Sequence, residues 1–490
     1  MRLKTIILNN FRCFDSLTLE LHPRLTVIVG ENGAGKTALL DGIASVFTPA
    51  MTYFSSANQR LAGRGIKDTD FRVEPYDGRG GKVYWGTADF AQVQAETFDG
   101  IRWDYWRPSA GAKGASPETK WGETALKEHV SQIVSSYKTQ NPALTPVLAY
   151  YGASRGHIEV PERLRGAKNN YNHPTAALVD CFNPRSDFRE MLEWFDLEES
   201  SELRQNKGVD SDSYDTFRSL EAVRAAVIGL LGEFSNPHFN QKHKFMLRRN
   251  RDNAPMLVNQ LSQGYQSMLA LAMDFARRLA IANSQLEYGD AHAQEQIFQA
   301  IDRLRALPGG QIDELSAGSL TTYAPAIMLV DEIDLHLHPT WQQRVLGDLM
   351  RTFPLTQFVV TTHSPQVLTS VDASCIRKLV SVTDADTGRS RMDVQTVTLQ
   401  TRGVASADVL ATIMGVNPVP DLLEANQLSN YHALIQQNLQ DSDEGRELRS
   451  KLLDHFSAEH PVMLECDRMI RLQAFKQRLS AKGPSEEGAA

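Results

Sequence analysis

The sequence predicts an α/β protein with a mixed or parallel central sheet, helices on both faces of that sheet, an antiparallel β lobe and a helical insertion. Three short, mainly apolar runs, at residues 24–29, 326–330 and 358–361, have the pattern of parallel strands buried on both faces. A glycine-rich loop and an amphipathic helix follow the first run, and polar clusters follow the other two. Ligands bind at such strand ends in open α/β sheets.

The composition is that of a soluble globular protein with two or three lobes, since 490 residues is long for one core. The formal net charge of -8 excludes a global basic footprint, so any DNA contact needs a local patch. The 4 cysteines are scattered, which predicts neither zinc nor disulfides and fits a reducing cytoplasm. No secretory pattern and no run of about 18 apolar residues occurs, so we expect a cytoplasmic protein without membrane contact.

The first apolar strand leads into GENGAGKT, which matches the phosphate-binding P-loop pattern G-x-x-x-x-G-K-[ST]. Glycines let such a loop curl so that its N–H groups point at an anion, and the following helix adds the partial positive charge of its N-terminus. The lysine should reach the phosphates, and the threonine hydroxyl should bind Mg²⁺. The candidate nucleotide-binding residues here are Gly30, Asn32, Gly33, Gly35, Lys36 and Thr37.

The apolar run 326–330 ends in two adjacent carboxylates, Asp331 and Glu332. A buried strand that ends in paired acids is costly unless the acids meet a cation or activate a water molecule. We interpret the pair as an Mg²⁺ ligand and a catalytic base. Two solvated acids at a strand end are the alternative.

Residues 52–125 differ from their surroundings, because short alternating runs rich in Gly, Arg, Trp and Tyr predict an antiparallel β insertion. Its arginine and aromatic residues could serve nucleic acid, but a structural lobe is the simpler interpretation. The run 146–151 is a further buried strand, and Arg155 follows it. Arg155 could face the nucleotide or a magnesium-bound water, or it could be an ordinary loop arginine.

Apolar residues at helical spacing predict helices at 189–195 and 220–231. A basic cluster at 242–251 is either a solvated face or a contact with a phosphate backbone. The sequence LSQGYQ, residues 261–266, then precedes a long helix at 267–282, whose N-terminus is a second anion-binding position.

Four motifs therefore follow one another in the chain: GENGAGKT, LSQGYQ, IMLVDEIDLHLHP and VVTTHSP. In this order they resemble the Walker A, signature, Walker B with D-loop, and H-loop motifs of ABC-type ATPase heads in the SMC, RecF and OLD-like group. The resemblance implies the P-loop NTPase fold of an ABC ATPase head, ATP and Mg²⁺ as ligands, and ATP hydrolysis.

The resemblance also implies a role for individual residues. Asp331 would hold the metal, Glu332 would activate the attacking water, and His363 would contact the γ-phosphate. The segment NNFRCF resembles the opening hairpin of the same group, which would put Arg12 near the nucleotide. No clear glutamine lid motif follows the P-loop, and Arg155 could take that place.

The signature residues Ser262 and Gly264 would cap the nucleotide of a second protomer. The resemblance thus implies a homodimer, or a higher even oligomer, with shared ATP sites and with Asp334 and His336 at the seam. Gln263 departs from the glycine that is commonest in this motif.

Within this group, YYGASR, LSQGYQS and DEIDLHLHPTWQ are most similar to the PtuA ATPases of Septu anti-phage systems, over roughly residues 1–420. That resemblance implies an HNH nuclease as a partner, with a reverse transcriptase and retron DNA as further partners if a retron is involved. It also implies a local contact with DNA.

Five regions are predicted. They are an ATPase lobe with the P-loop (1–50), the β insertion and return strand (51–150), the helical insertion (151–250), a second ATPase lobe with the other motifs (251–400), and a helical cap or partner-docking region (401–490).

We expect no nuclease site in this chain. Its Asp384-Ala-Asp386 sequence reads as a hairpin turn rather than as part of a Toprim site. The leading hypothesis is an ATPase that regulates or assembles a separate nuclease in anti-phage defence. The alternatives are a RecF-like DNA-repair clamp and a nucleotide-gated scaffold with little turnover.

Overall fold

The computed structural model describes residues 1–56, 59–77, 83–112, 114–156, 171, 173–184, 188–210, 213–286, 291–312, 319–383 and 390–481. Its strands are β1 (Leu3–Phe11), β2 (Phe14–Glu20), β3 (Leu25–Val29), β4 (Val73–Asp77), β5 (Val83–Thr87), β6 (Phe90–Thr97), β7 (Arg102–Pro108), β8 (Val147–Tyr151), β9 (Phe234–Phe239), β10 (Phe245–Arg249), β11 (Ala254–Leu257), β12 (Ala326–Val330), β13 (Thr356–Thr361), β14 (Ile376–Thr383) and β15 (Ser390–Thr396).

The helices of the described residues are α1 (Lys36–Val46), α2 (Thr48–Phe54), α3 (Thr124–Ser136), α4 (Phe188–Gln205), α5 (Arg218–Leu231), α6 (Gln263–Ala282), α7 (Ala291–Arg305), α8 (Pro339–Gln342), α9 (Val345–Thr352), α10 (Pro365–Leu368), α11 (Ser406–Thr412), α12 (Leu423–Gln436), α13 (Asp443–Phe456) and α14 (Pro461–Ala481). None of them combines the length and the apolarity that a membrane crossing requires.

The central sheet has the strand order β15-β14-β3-β13-β12-β8. Its strands are parallel except for β15, which is antiparallel to β14. The strands β3, β8, β12 and β13 are buried at every residue, although β3 and β13 also contain Thr and Gln. The predicted α/β fold class is confirmed, and the carboxyl ends of these four strands meet at one edge.

A second sheet, antiparallel and ordered β2-β1-β6-β7, packs against α1. The predicted β insertion is therefore continuous with the opening hairpin, because β6 pairs directly with β1. Trp103 of β7 is fully buried and donates its indole N–H to the carbonyl oxygen of Val46, at 2.8 Å. This contact joins the antiparallel sheet to the helix that follows the P-loop.

The segment predicted as a helical insertion is only partly helical. Its helices α4 and α5 are followed by a three-stranded antiparallel sheet, β9 to β11. Phe239 and Phe245 of this sheet pack on Phe195 of α4, so aromatic burial favours strands here. Helix α4 also continues into the acidic segment, where Glu202 accepts hydrogen bonds from Arg224 and from the N–H of Phe217.

The chain divides into two compact units, residues 1–409 and residues 410–490, each with most of its contacts within itself. The second unit has its own small core, formed by α12, α13 and α14 around Tyr431, Leu452 and Met463. The Asp384-Ala-Asp386 sequence lies outside the described residues, although β14 and β15 on either side form an antiparallel pair.

Candidate active site

The P-loop connects β3 to α1 and is shaped by two glycines with positive φ. Gly33 has φ 82° and Gly35 has φ 93°, a region that other residues rarely adopt. A Cβ on Gly35 would also collide with the sulfur of Cys13. Within the described part of the chain, no hydrogen bond uses the backbone N–H groups of Gly33, Gly35 or Lys36. The loop therefore offers several free donors at a helix N-terminus, which suits a phosphate group.

Lys36 lies over this loop. Its Nζ donates to the carbonyl oxygens of Gly30 and Glu31, at 2.8 Å and 2.9 Å. Burial lowers the pKa of the ammonium, and the carboxylates of Asp331, Glu332 and Asp334 act in the opposite direction. The cation is thus held between the loop and the acids at the end of β12.

Asp331 is bound on both sides by threonine hydroxyls. Its Oδ2 accepts from Thr37 Oγ1 at 2.8 Å, and its Oδ1 accepts from Thr361 Oγ1 at 2.6 Å. The sheet order explains this arrangement, because β13 lies between β3 and β12 and ends in Thr361. The structure therefore brings the P-loop threonine and the strand-end aspartate together, as the sequence predicts.

Glu332 has the rarer left-handed backbone conformation, with φ 50°. Its N–H donates to Thr361 Oγ1 at 2.7 Å, and its carbonyl oxygen accepts from Arg155 at 2.6 Å. The main chain of Glu332 is thus held on both sides, whereas no hydrogen bond between described residues uses its carboxylate. A carboxylate that is positioned but not engaged is suited to act as a general base.

These residues fit a magnesium ion. A hydroxyl and a carboxylate are oxygen ligands of the type that Mg²⁺ prefers, and the 2.8 Å separation of Thr37 Oγ1 and Asp331 Oδ2 is close to the edge of about 2.9 Å in an octahedron with metal–oxygen bonds of about 2.0–2.1 Å. No group of three His, Cys, Asp or Glu side chains suited to a metal occurs among the described residues. The two protein oxygens would therefore leave other positions to water and phosphate, which is typical of Mg²⁺.

Arg155 contacts the main chain of the two acids and not their carboxylates. Its guanidinium donates to the carbonyl oxygens of Asp331, Glu332 and Gly152, and its side chain is buried. Burial lowers its pKa to about 10, against the influence of Asp331 and of the neighbouring acids. A contact of Arg155 with the nucleotide or with a magnesium-bound water, and a lid role, stay predictions.

The D-loop and the H-loop are joined by Asp334. Its Oδ1 accepts from Thr362 Oγ1 at 2.6 Å and from the N–H of His363 at 3.3 Å. This contact orients the segment that carries the His363 side chain. His336 follows in the D-loop, exposed and with φ 60°.

The signature segment lies against the D-loop. A Cβ on Gly264 would be 2.6 Å from the carbonyl oxygen of His336, and the ring of Tyr265 packs edge-on against Trp341 with 4.5 Å between centroids. Ser262 is the exposed N-cap of α6 and makes no capping hydrogen bond with its side chain. Its hydroxyl and the α6 N-terminus thus remain available for an anion.

A buried charge network ties α6 to the strand next to the acids. Asp274 accepts from Tyr151 of β8 at 2.9 Å and pairs with Arg277 and Arg278 at 2.7 Å and 2.8 Å. Burial alone would raise the pKa of Asp274, but the two arginines outweigh it and hold that pKa well below its usual range. The main-chain carbonyl of the same Tyr151 accepts from the N–H of Asp331.

Arg12 is engaged with carboxylates of its own. It has φ 52° and forms ion pairs with Asp41 of α1 and with Asp70, at 2.7 Å and 2.8 Å. Arg64 pairs with the same two acids. The network fixes the opening hairpin to α1, and a contact between Arg12 and a nucleotide stays a prediction.

The sequence-based assignment missed Thr361, although it forms the hydrogen bonds that orient both acids. Its position in the strand-end cluster VVTTHSP was the available signal. The carbonyl contacts of Arg155 could not be predicted from the sequence, because every residue has a main-chain carbonyl and the side-chain pattern does not show which one is bound. The chemical roles of the predicted site residues stay predictions.

Comparison with known proteins finds two matching families. An AAA-domain family matches residues 5–252, about half of the chain. A second AAA-domain family, whose description mentions the AbiEii toxin of type IV toxin–antitoxin systems, matches residues 196–369.

Similar proteins include the retron Ec83 probable ATPase of Escherichia coli, 26% identical over 95% of this chain and 86% of that protein. The retron Vc95 probable ATPase of Vibrio cholerae serotype O1 biovar El Tor is 22% identical over 93% and 88%. Septu protein PtuA of Bacillus thuringiensis is 32% identical over 19% of this chain and 22% of its own length. The SMC head domain from Thermotoga maritima matches 81% of this chain and 100% of its own, with 14% identity and a TM-score of 0.37.

The resemblance drawn from the motifs is thus confirmed by relatives of almost full length. With a P-loop, a strand-end acid pair and a family match over about half of its length, the chain belongs to the AAA-domain family and is an ATPase.

Proposed function

We propose that this ATPase binds Mg²⁺ and ATP at the P-loop and hydrolyses ATP with Glu332 as the general base. The observation that carries the proposal is the contact of Thr37 with Asp331, beside a Glu332 carboxylate that has no hydrogen-bond partner among the described residues. Thr37 and Asp331 would hold the metal, which neutralises charge on the transferred phosphoryl group when it is bound.

The chain's own groups would divide the remaining work. Lys36 and the free N–H groups of the P-loop stabilise phosphate charge, and Glu332 accepts a proton from the attacking water. His363, oriented by the contact of its N–H with Asp334, would contact the γ-phosphate. Cytoplasmic ATP would be the substrate.

The second part of the proposal concerns assembly. The free N-terminus of α6, with exposed Ser262, would complete the site of another protomer, so ATP would hold together a homodimer or a higher even oligomer. The packing of Gly264 on His336 supports this, because it puts the signature and D-loop segments side by side on one surface.

The third part concerns the biological role. Relatives of nearly full length are described as retron ATPases, and a partial relative as a Septu protein. We therefore assign the chain to an anti-phage defence complex, in which it regulates or assembles a separate HNH nuclease. A reverse transcriptase and retron DNA are further partners in the retron case.

Phage infection of cells that express the native operon tests this role. Lys36→Ala and Glu332→Gln should each abolish protection, whereas Glu128→Gln, which alters an exposed glutamate of α3, should preserve it. Purification of the chain with its genomic neighbour should yield a DNA-cleaving complex that responds to ATP. Full protection by Glu332→Gln would refute a role for hydrolysis and favour a nucleotide-gated scaffold.

A DNA clamp of RecF type is the second candidate, and one observation favours it. Lys242 and Lys244 are exposed in the turn between β9 and β10, and Arg248 is exposed on β10. A clamp would bind double-stranded DNA in the presence of ATP without any partner, with an affinity that falls steeply as salt rises. An affinity for DNA that does not change with the salt concentration would contradict the clamp function.

A further inference from the structure

The carboxyl end of β12 contains an energetically unfavourable turn that the two acids of the site share. Glu332 has φ 50°, a left-handed conformation in which the Cβ of a residue crowds the following carbonyl oxygen. Such a conformation persists only when its surroundings determine it more strongly than the local preference does. The contacts around Glu332 show what holds it.

One side of this turn is held by β13. Thr361 Oγ1 accepts from the N–H of Glu332 at 2.7 Å, and the Thr361 carbonyl oxygen accepts from the N–H of Ile333 at 2.9 Å. These bonds satisfy the donors of the turn. Of its two carbonyl oxygens, that of Glu332 also accepts from the N–H of Leu335 at 2.9 Å.

Arg155 holds the opposite side of the turn. One terminal nitrogen of its guanidinium donates to the Asp331 carbonyl oxygen, and the other donates to the Glu332 carbonyl oxygen at 2.6 Å. The planar fork of an arginine can bind two acceptors at once, which a lysine ammonium cannot do with the same fixed geometry. The side chain is only 4% exposed, so water does not compete effectively for these carbonyls.

We infer that Arg155 is a positioning residue, which holds the Asp331–Glu332 turn through its main-chain carbonyls and thereby directs the Glu332 carboxylate into the site. The contacts assign Arg155 to the acids' backbone and not to the nucleotide. Loss of the fork should therefore lower the rate of the chemical step and leave nucleotide binding intact. This inference rests on the proposed role of Glu332 for its effect on catalysis, but its effect on the turn is independent of that role.

Three variants test it. Arg155→Ala removes the guanidinium, and Arg155→Lys keeps a cation in a chain that should fold normally. Arg377→Ala is the matched control, because Arg377 is also a buried arginine that donates to main-chain carbonyls, those of Glu20, Ser374 and Ile376.

Both Arg155 variants should lower kcat roughly 10- to 100-fold, the range found when groups that orient a site are removed, while the Kd for ATP is unchanged. Added methylguanidine should restore part of the kcat of Arg155→Ala and none of that of Arg377→Ala. A parallel loss of ATP affinity, or wild-type kcat in Arg155→Lys, would overturn the inference.

Hydrogen exchange of the nucleotide-free proteins separates this inference from the proposed function. The amides of Glu332 and Ile333 should exchange faster in both Arg155 variants than in the wild type or in Arg377→Ala. Unchanged exchange refutes the positioning role. A normal kcat in Glu332→Gln with accelerated exchange in Arg155→Lys would instead refute Glu332 as the base and retain Arg155 as the residue that holds the turn.

Discussion

Thr37 Oγ1 donates a hydrogen bond to Asp331 Oδ2 at 2.8 Å although 294 positions separate the two residues in the chain. Thr37 follows β3 and the P-loop, and Asp331 follows β12. These two strands are not neighbours, since β13 lies between them. The contact therefore depends on the whole parallel sheet, whose strand ends bring a P-loop hydroxyl to a buried carboxylate.

Replacing the hydroxyl of Thr37 tests this contact as part of a metal site. Thr37→Val preserves the shape of the side chain but removes the oxygen, whereas Thr37→Ser retains it. We expect Thr37→Val to reduce ATP turnover by more than about 100-fold, because a bound metal contributes several kcal/mol to the transition state. Steady-state ATPase assays with varied Mg²⁺ measure this effect, and Val turnover equal to that of Ser would contradict it.

Replacing Glu332 by Gln should separate binding from hydrolysis. The amide keeps the size of the side chain but cannot accept the proton, so kcat should fall by about 10²- to 10⁴-fold. ATP binding should persist, and light scattering should show a nucleotide-stabilised dimer. Arg155 would still hold the turn, since it contacts the carbonyl and not the carboxylate. Rapid turnover by Glu332→Gln would exclude this residue as the base.

Local patterns predict much of this fold because each of its buried parallel strands contains an apolar run. The P-loop is equally easy to predict from the sequence, since it needs glycines at the positions where φ is positive. The sheet formed by β9 to β11 escapes such reasoning, because its stability comes from packing on Phe195 of α4, which is distant in sequence.

The sequence predicted which residues meet at the strand ends, but not the groups that hold them in place. Asp331 and Glu332 stand out as paired acids after an apolar run. Thr361 and Arg155 act on them from other strands, and Arg155 does so through carbonyl oxygens that every residue has. Arg12 likewise pairs with Asp41 and Asp70, partners that only the folded chain brings near.

The contact between signature helix and D-loop should not tolerate a methyl group. In Gly264→Ala the Cβ would meet the backbone oxygen of His336 at 2.6 Å, so one of the two segments must move. We expect the free energy of unfolding to fall by about 1–3 kcal/mol, the usual cost of overpacking, together with a loss of ATPase activity.

Gly347→Ala is the control for this change, since it also adds a methyl group within a helix. There the nearest atom is a terminal nitrogen of Arg351 at 3.8 Å, so the better helix propensity of Ala should raise stability by about 0.5–1 kcal/mol. Urea unfolding of both variants gives the comparison. Equal changes in the unfolding free energy of the two variants would mean that the close approach of Gly264 to His336 does not restrict the residue at position 264.

The network around Asp274 should make stability depend on acid pH. Arg278 and Arg277 hold the pKa of this buried carboxyl below its usual value of about 3.9. A group with a lowered folded-state pKa stabilises the protein fully above the unfolded value and loses that contribution as pH falls below it. At neutral pH, Asp274→Asn should cost about 3–5 kcal/mol, because it leaves buried arginine charge uncompensated.

The difference in unfolding free energy between wild type and Asp274→Asn should therefore be constant from about pH 7 to pH 5 and shrink between about pH 4 and pH 3. Urea unfolding followed by tryptophan fluorescence across this range measures it. A difference that grows as the pH falls would mean that the folded-state pKa of Asp274 is raised and that desolvation outweighs its two arginines.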